Sequence, residues 1–423
     1  MQWANQLDAS SEKLKVQQLT SDLGFGLIAT EPIEADEEVI SIPYGILLTT
    51  EYAEASNLAT LFNLKKSLFE EVSALKLCIS LLNERHNECS FWKSYIDFLP
   101  RTYSNPIFWS CEEFELAAIS AESELFYRLV RNLARQYCIL FLTLEKLRSQ
   151  ESYYFTQYFT WEEFRWSVAS LMSRQNVVPN KQGSSKQVVL IPYWDLLNHT
   201  EGEVTTFFHA DSLQIKCTAM KNYNPGEEVH IYYGRKSSAE FLMFQGFTPQ
   251  ENISSKITIK LGMSEKDELA ALKKPLLHLT GTPLAGRFHF YPNCVPMISP
   301  DLLTFVRIFV LKRDETGDLL NSVKNNRNEL KRLSEFDQCI SIEHEVRVWK
   351  YLEMRVFLLS RQYTQRLNNV NEELKESHIY KLIIHEQESL EVLRNACIQY
   401  RETLEDTQSL TSLPYLSNID HSS

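Results

Sequence analysis

The sequence predicts an α+β protein in which one small β-unit is completed by two distant segments, with helices between them and a helical domain after them. Three observations predict it. Residues 20–50 and 188–247 read as short strands and turns. Residues 51–170 repeat apolar side chains at three- and four-residue steps. Beyond about residue 255 the same helical period returns, in long stretches without Gly or Pro that suggest a bundle. With 423 residues, 44% hydrophobic and 23% charged, the chain is long enough to bury a large core without staples.

In the first β-segment Gly24-Phe25-Gly26 makes a turn, Pro32 stops any helix, and Val39–Pro43 is a strand closed by proline. Gly24 to Ala29 formally matches G-x-G-x-x-A, but Thr30-Glu31-Pro32 denies it the helix on which a dinucleotide fingerprint depends. In the helical insert Leu61, Leu64, Leu68, Val72, Leu75 and Ile79 form one apolar face, and Phe126, Leu129, Val130, Leu133 and Tyr137 another. Thr160 caps a helix from Trp161, with Glu163 placed for a capping box. In the second β-segment Ile215, Cys217 and Ala219 alternate with polar residues, and Asn224-Pro225-Gly226 turns the chain. Ser299-Pro300-Asp301 starts a C-terminal helix. Val346, Trp349, Leu352, Val356 and Leu359 make one long face, and Leu382, Ile383, Leu390, Leu393 and Cys397 another. The expected organisation is a β-core at 20–50 and 171–250, an insert at 51–170, a helical domain at 255–400, and a frayed tail at 404–423.

A net charge of -12 speaks against direct nucleic-acid binding. Eight cysteines without C-x-x-C spacing suggest buried thiols in a reducing compartment, not a zinc cluster or redox site. No eighteen-residue apolar run is present, so no membrane span is expected, and the N-terminus does not read as a signal peptide. The expectation is a cytoplasmic monomer, with nuclear access left open.

Candidate chemistry gathers in four places. Arg174, in Ser173-Arg174-Gln175-Asn176, offers a planar fork for a carboxylate. The apolar run Leu190-Ile191-Pro192-Tyr193-Trp194 delivers Asp195, Leu196, Leu197, Asn198 and His199. Asn198 carries donors and an acceptor for a ligand's polar atoms; one His and one Asp make poor grounds for a metal. Tyr233-Gly234 ends a strand, where a Tyr either packs or lines a channel. Phe247, after Gln245-Gly246, either fills the core or stacks on a flat ring.

The ordered set GFGL (24–27), SFWKSYIDFLP (90–100), SRQN (173–176), LIPYWDLLNH (190–199), GEEVHIYYG (226–234) and QGF (245–247) resembles the SET-domain protein methyltransferases. Over roughly residues 20–400 the pattern is similar to the Rubisco large-subunit methyltransferase-like subfamily, and within it to the actin-histidine N-methyltransferases. The resemblance implies a SET β-core with a helical insert, an all-α C-terminal substrate-binding domain, S-adenosyl-L-methionine as cofactor and a protein substrate, actin. It further implies that Leu23, Gly24 and Phe25 line the cofactor pocket, that Arg174 holds the cofactor carboxylate, that Asp195 to His199 cradle the cofactor and that Gln245, Gly246 and Phe247 close over its adenine. Tyr233 would line the methyl-transfer channel and, with Asn176, carry catalysis. Gln175, Asn176, Trp194 and Lys236 would hold the substrate. The chain departs from the family pattern at Leu23, where an acidic residue is usual, at Lys236, where the actin enzymes carry Arg, and at Gln245, in place of a smaller polar residue. An Asn carbonyl accepting one ring N–H fixes an imidazole tautomer for in-line attack, which tilts the reading toward histidine. A lysine methyltransferase and a cofactor-poor adaptor that grips a partner with its C-terminal helices remain alternatives.

Overall fold

Strands in this computed structural model, which describes residues 11–19, 24–147 and 151–413, are short and fall in three stretches, 14–49, 176–231 and 257–290. They are β1 (Leu14–Gln18), β2 (Phe25–Ala29), β3 (Glu38–Pro43), β4 (Leu48–Thr49), β5 (Asn176–Pro179), β6 (Lys186–Leu190), β7 (Asn198–His199), β8 (Thr206–His209), β9 (Gln214–Thr218), β10 (Glu228–Ile231), β11 (Ile257–Gly262) and β12 (Ala285–Phe290). The helices used below are α1 (Ala74–Arg85), α2 (Ser123–Leu144), α3 (Trp161–Arg174), α4 (Pro300–Phe309), α5 (Ile342–Leu367) and α6 (His378–Thr407).

One compact unit takes residues Met1–Trp109, Phe126–Arg235 and Glu240–Phe247. Its sheets run β1-β2-β10-β7, β3-β9-β8 and β4-β6-β5, so each joins strands from the two separated segments. Alternation drives this: Ile215 and Cys217 of β9 are buried against Ile40 and Ile42 of β3, while Gln214, Lys216 and Thr218 stay half-exposed. A second cluster forms where α1 and α3 bury Leu77, Ile79, Phe164 and Trp166.

The periodic face from Leu61 to Ile79 resolves into three helices, Ala59–Leu64, Lys66–Glu71 and α1, because Lys65 and Val72 leave the helical region. Leu64 is consequently 56% exposed. Thr160 caps α3, its hydroxyl accepting from the Glu163 N–H at 3.2 Å. The reciprocal half of the capping box is missing, since the Glu163 carboxylate pairs instead with Arg85 at 3.3 Å and His86 at 3.0 Å.

The other unit takes Ser110–Leu125, Lys236–Ala239 and Thr248–Ser423. It is helical, with one correction: β11 and β12 pair antiparallel, Ile257 opposite Phe290 through Gly262 opposite Ala285. The β-branched run Ile257-Thr258-Ile259 buries all three side chains there. Helices α5 and α6 pack antiparallel, as Arg401 to Glu353, Ser360 to Glu391 and Tyr363 to Glu386 show. The buried face of α5 runs through Val348, Trp349, Leu352, Val356, Ser360 and Tyr363, so Val346 and Leu359 lie on its flanks. Residues 110–125, expected in the insert, belong here. Ser120 donates to Glu386 at 2.8 Å, and buried Glu122 accepts from Thr258 and pairs with Arg287. The expected frayed tail begins too early: α6 runs to Thr407, and Leu404 and Leu413 are fully buried, so apolar contacts hold the chain to residue 413. Residues 414–423 lie outside the described part.

Candidate active site

Arg174 ends α3, and its guanidinium turns back onto the loop between β6 and β7. Its Nη1 donates to the Asp195 carbonyl at 2.5 Å and lies 3.7 Å from Asp195 Oδ1. Its Nε is buried and, among the described residues, has no hydrogen-bond partner. Burial works against the charge, but Asp195, Tyr103, Tyr95 and Tyr233 surround the guanidinium and hold its pKa above the ordinary value. The Asp195 side chain is 1% exposed and accepts from the Tyr95 hydroxyl. Burial pushes that carboxyl up, against the pull of Arg174 and Tyr95. The Asp195 carboxylate is thus buried against Tyr95 and Arg174, and its carbonyl accepts from the Arg174 guanidinium.

The loop itself is bent hard. Tyr193, buried and bulky, sits at φ 71° and ψ -50°, a strained turn that non-glycine residues seldom adopt. It directs Trp194 so that Nε1 donates to Thr206 Oγ1 at 3.0 Å, with the residue buried. Leu196 packs against the β-core and Leu197 is fully buried. What Leu197 offers the site is its carbonyl.

Strand β7 then pairs parallel with β10, Asn198 beside His230 and His199 beside Ile231. The Asn198 carboxamide donates to Glu228 Oε1 at 2.7 Å and to the Phe25 carbonyl at 3.4 Å. His199 Nδ1 accepts from the Tyr233 N–H at 3.3 Å, which puts the ring proton on Nε2, and the ring stacks on Phe241 at 4.6 Å. The Tyr233 hydroxyl donates to the Leu197 carbonyl at 2.7 Å. Burial raises this phenol to about 12, Arg174 opposing and Asp195 and Glu228 adding, so it stays neutral.

Around these groups Gly24 turns the chain at φ 68°, and Phe25 sets its ring 5.2 Å from Phe98. Leu23 lies outside the described residues. Phe247 packs at 5.3 Å from Phe241, Gly246 takes φ 84°, and Gln245 Oε1 is buried without a partner among the described residues. Asn176 opens β5, its Nδ2 donating to the Arg174 carbonyl at 3.3 Å, while Gln175 is exposed. Lys236 belongs to the second unit, where its carbonyl accepts from Asn252 at 3.0 Å. The residues passed over from sequence are Tyr95 and Glu228. Both stand inside motifs that were noted, and Glu228 alternates with the buried Val229 and Ile231, a polar position on a core strand.

Residues 24–234 match the SET domain, and residues 264–403 match the Rubisco LSMT substrate-binding domain. The chain is 33% identical over 425 residues to an actin-histidine N-methyltransferase of Papio anubis, covering 97% of this chain and 70% of that protein. It belongs to the SET-domain family. The actin-histidine N-methyltransferase of Xenopus tropicalis is 32% identical over 378 residues, and there the match spans 89% of this chain but 64% of that protein. This SET-domain chain thus spans roughly two-thirds of the length of these relatives. A solved structure of Rubisco LSMT bound to AdoMet shares the fold with a TM-score of 0.68 at 21% identity, over 96% of this chain and 92% of that one.

The residues present fit an S-adenosylmethionine. Among the described residues Arg174 keeps a buried N–H without a partner, suited to a carboxylate, and Gln245 a buried carbonyl without a partner, suited to an amino group. Phe247 and Phe25 supply apolar ring faces.

Proposed function

We propose that this chain is an S-adenosylmethionine-dependent protein methyltransferase whose substrate is a histidine side chain of actin. The observation that carries the reading is the parallel pairing of Asn198-His199 with His230-Ile231, beside which the neutral Tyr233 hydroxyl is committed as a donor to the Leu197 carbonyl. The names of the relatives supply the histidine and the actin, and the match to a substrate-binding domain supports a protein substrate.

Bound here, S-adenosylmethionine supplies an electrophilic methyl group on a sulfonium. Arg174 would hold its carboxylate and Asn198 its polar atoms, with Gln245 and Phe247 at the base. The chain then has to present a nucleophile with a free electron pair. Tyr233, held near 12 and already donating, takes no proton from a substrate at neutral pH. A lysine amine, with an ordinary pKa of about 10.4, arrives charged; an imidazole, at about 6.5, arrives mostly neutral with its lone pair exposed. The ring nitrogen would take the methyl group while the methyl–sulfur electron pair stays on sulfur. The methylated ring then sheds a proton to solvent. Asn176 spends its Nδ2 on the Arg174 carbonyl, which leaves Oδ1 to accept the ring's single N–H, on the nitrogen that does not attack, and so fix the tautomer. Trp194, anchored on Thr206, would provide a flat wall.

The test is incubation with S-adenosylmethionine and unmethylated actin, followed by peptide mass spectrometry. One methyl group on a histidine is the expected product. Methyl-lysine, or no transfer to actin despite cofactor binding, overturns the histidine assignment; no cofactor binding overturns the enzyme.

A further inference from the structure

We infer that Glu228 is a positioning residue for the cofactor site, acting through Asn198: its carboxylate fixes which way the Asn198 carboxamide faces. The inference rests on the methyltransferase reading and deepens it. A carboxamide is nearly symmetric in shape, so only its hydrogen bonds decide which end is the donor. Asn198 has two N–H groups and meets two acceptors, Glu228 Oε1 at 2.7 Å and the Phe25 carbonyl at 3.4 Å. Neither acceptor can donate, so the amide nitrogen must face them and Oδ1 must face away. Among the described residues Oδ1 meets no protein donor, and it is not sealed from solvent. It is left as an oriented acceptor for an ammonium or amino group. The bond at 3.4 Å is too long to hold this orientation alone. Glu228 is the stronger anchor.

Two further observations point the same way. A Cβ added at Gly26 would lie 2.7 Å from Glu228 Oε1 and 3.3 Å from Asn198 Nδ2. The same Cβ would also lie 2.7 Å from Leu19 Cδ1, so the second glycine of GFGL clears room for this pair and for the Leu19 side chain together. Glu228 also stays ionised: burial pushes its carboxyl up, but hydrogen bonds from His230, 3.5 Å away, and from Asn198 bring it below the usual carboxylate range. A charged acceptor makes a bond roughly twice as strong as a neutral one.

The experiment is calorimetric titration of S-adenosylmethionine into the full chain, with the ligand-free unfolding temperature recorded for every variant. Glu228→Ala is expected to raise Kd about tenfold. Glu228→Gln, whose carbonyl accepts the same bond, is expected to stay within about threefold. In an Asn198→Ala background Glu228→Ala is expected to change Kd less than about twofold, because the group it orients is gone. Gly26→Ala, which displaces the carboxylate without removing it, gives a second route to the same loss and is expected to raise Kd several-fold. An equal effect of Glu228→Ala with and without Asn198 would mean a merely structural role and overturn the inference. So would an unchanged Kd in Glu228→Ala, or in Gly26→Ala if the first variant does not fold. If the wild-type chain binds no cofactor, the methyltransferase reading itself fails and takes this inference with it.

Discussion

Two buried arginines in this chain have opposite surroundings. Arg307, on α4, is wholly enclosed: Nε and Nη2 grip Glu345 at 2.9 Å each, and Nη1 reaches the carbonyls of Arg332, Leu333 and Glu335. Both members of that pair are 0% exposed. Arg174 makes a short bond to a carbonyl and one to the Tyr103 side chain, stands 3.7 Å from its carboxylate, leaves Nε unmatched among the described residues, and is 19% exposed. A guanidinium whose donors are all used can only hold a fold together. One left incomplete, with tyrosines crowding round to keep it charged, is prepared for something that arrives later.

The widest separation between the two should come from Arg307→Ala. It strands the Glu345 carboxylate in the core, an effect of about 3–5 kcal/mol, seen as a collapse in unfolding temperature. Replacing both partners, Arg307→Met with Glu345→Leu, should return most of that stability. His344 sharpens the same region. Its ring bonds the Arg307 carbonyl at 2.9 Å, and burial pushes its pKa from 6.5 down to about 4. The folded state therefore disfavours a proton that the unfolded chain accepts. Stability is fully present above pH 6.5 and falls by about 3 kcal/mol as pH drops toward 4. His344→Gln should flatten that acid limb in thermal melts across the range.

Arg174→Lys reverses the pattern. The fork is lost while the charge stays, so Kd for S-adenosylmethionine should rise about tenfold with a melting shift much smaller than that of Arg307→Ala. An unchanged Kd would remove Arg174 from the ligand set. Tyr233→Phe is the smallest. It deletes one hydrogen bond to the Leu197 carbonyl, worth about 1 kcal/mol, so methyl transfer in single-turnover assays should slow about fivefold while cofactor Kd stays near wild type. A Tyr233→Phe rate equal to wild type would take that hydroxyl out of the transfer step.

The difference between the arginines also marks what could be read from sequence. Ser299 before Pro300, the alternation through Ile215 and Cys217, and the loops bearing Arg174, Asn198 and Tyr233 were legible because local chemistry decides them. The inward turn of the Asp195 carboxylate was not, since it depends on Tyr95, one hundred residues away along the chain. Nor was the hairpin partner of Ile257–Gly262, which comes from beyond an intervening helix. Helix breaks at Lys65 and Val72 escaped a pattern that counts only apolar spacing. Glu228 is not legible because a glutamate in a turn-and-strand motif is ordinarily solvated, and only its bond to Asn198 and the close approach of Gly26 mark it.

The allocation of Ser110–Leu125 to the second unit has a practical edge. The chain changes unit after Trp109, Leu125, Arg235, Ala239 and Phe247. A C-terminal fragment beginning at Thr248 would lack Ser120 and Glu122, stranding Glu386, Thr258 and Arg287 beside vacated partners. No single scissor cut yields the substrate-binding domain as an independent module. Fragment expression and gene shuffling must therefore carry residues 110–125 along with the C-terminal unit, and an insertion or deletion within them will be felt in the C-terminal half.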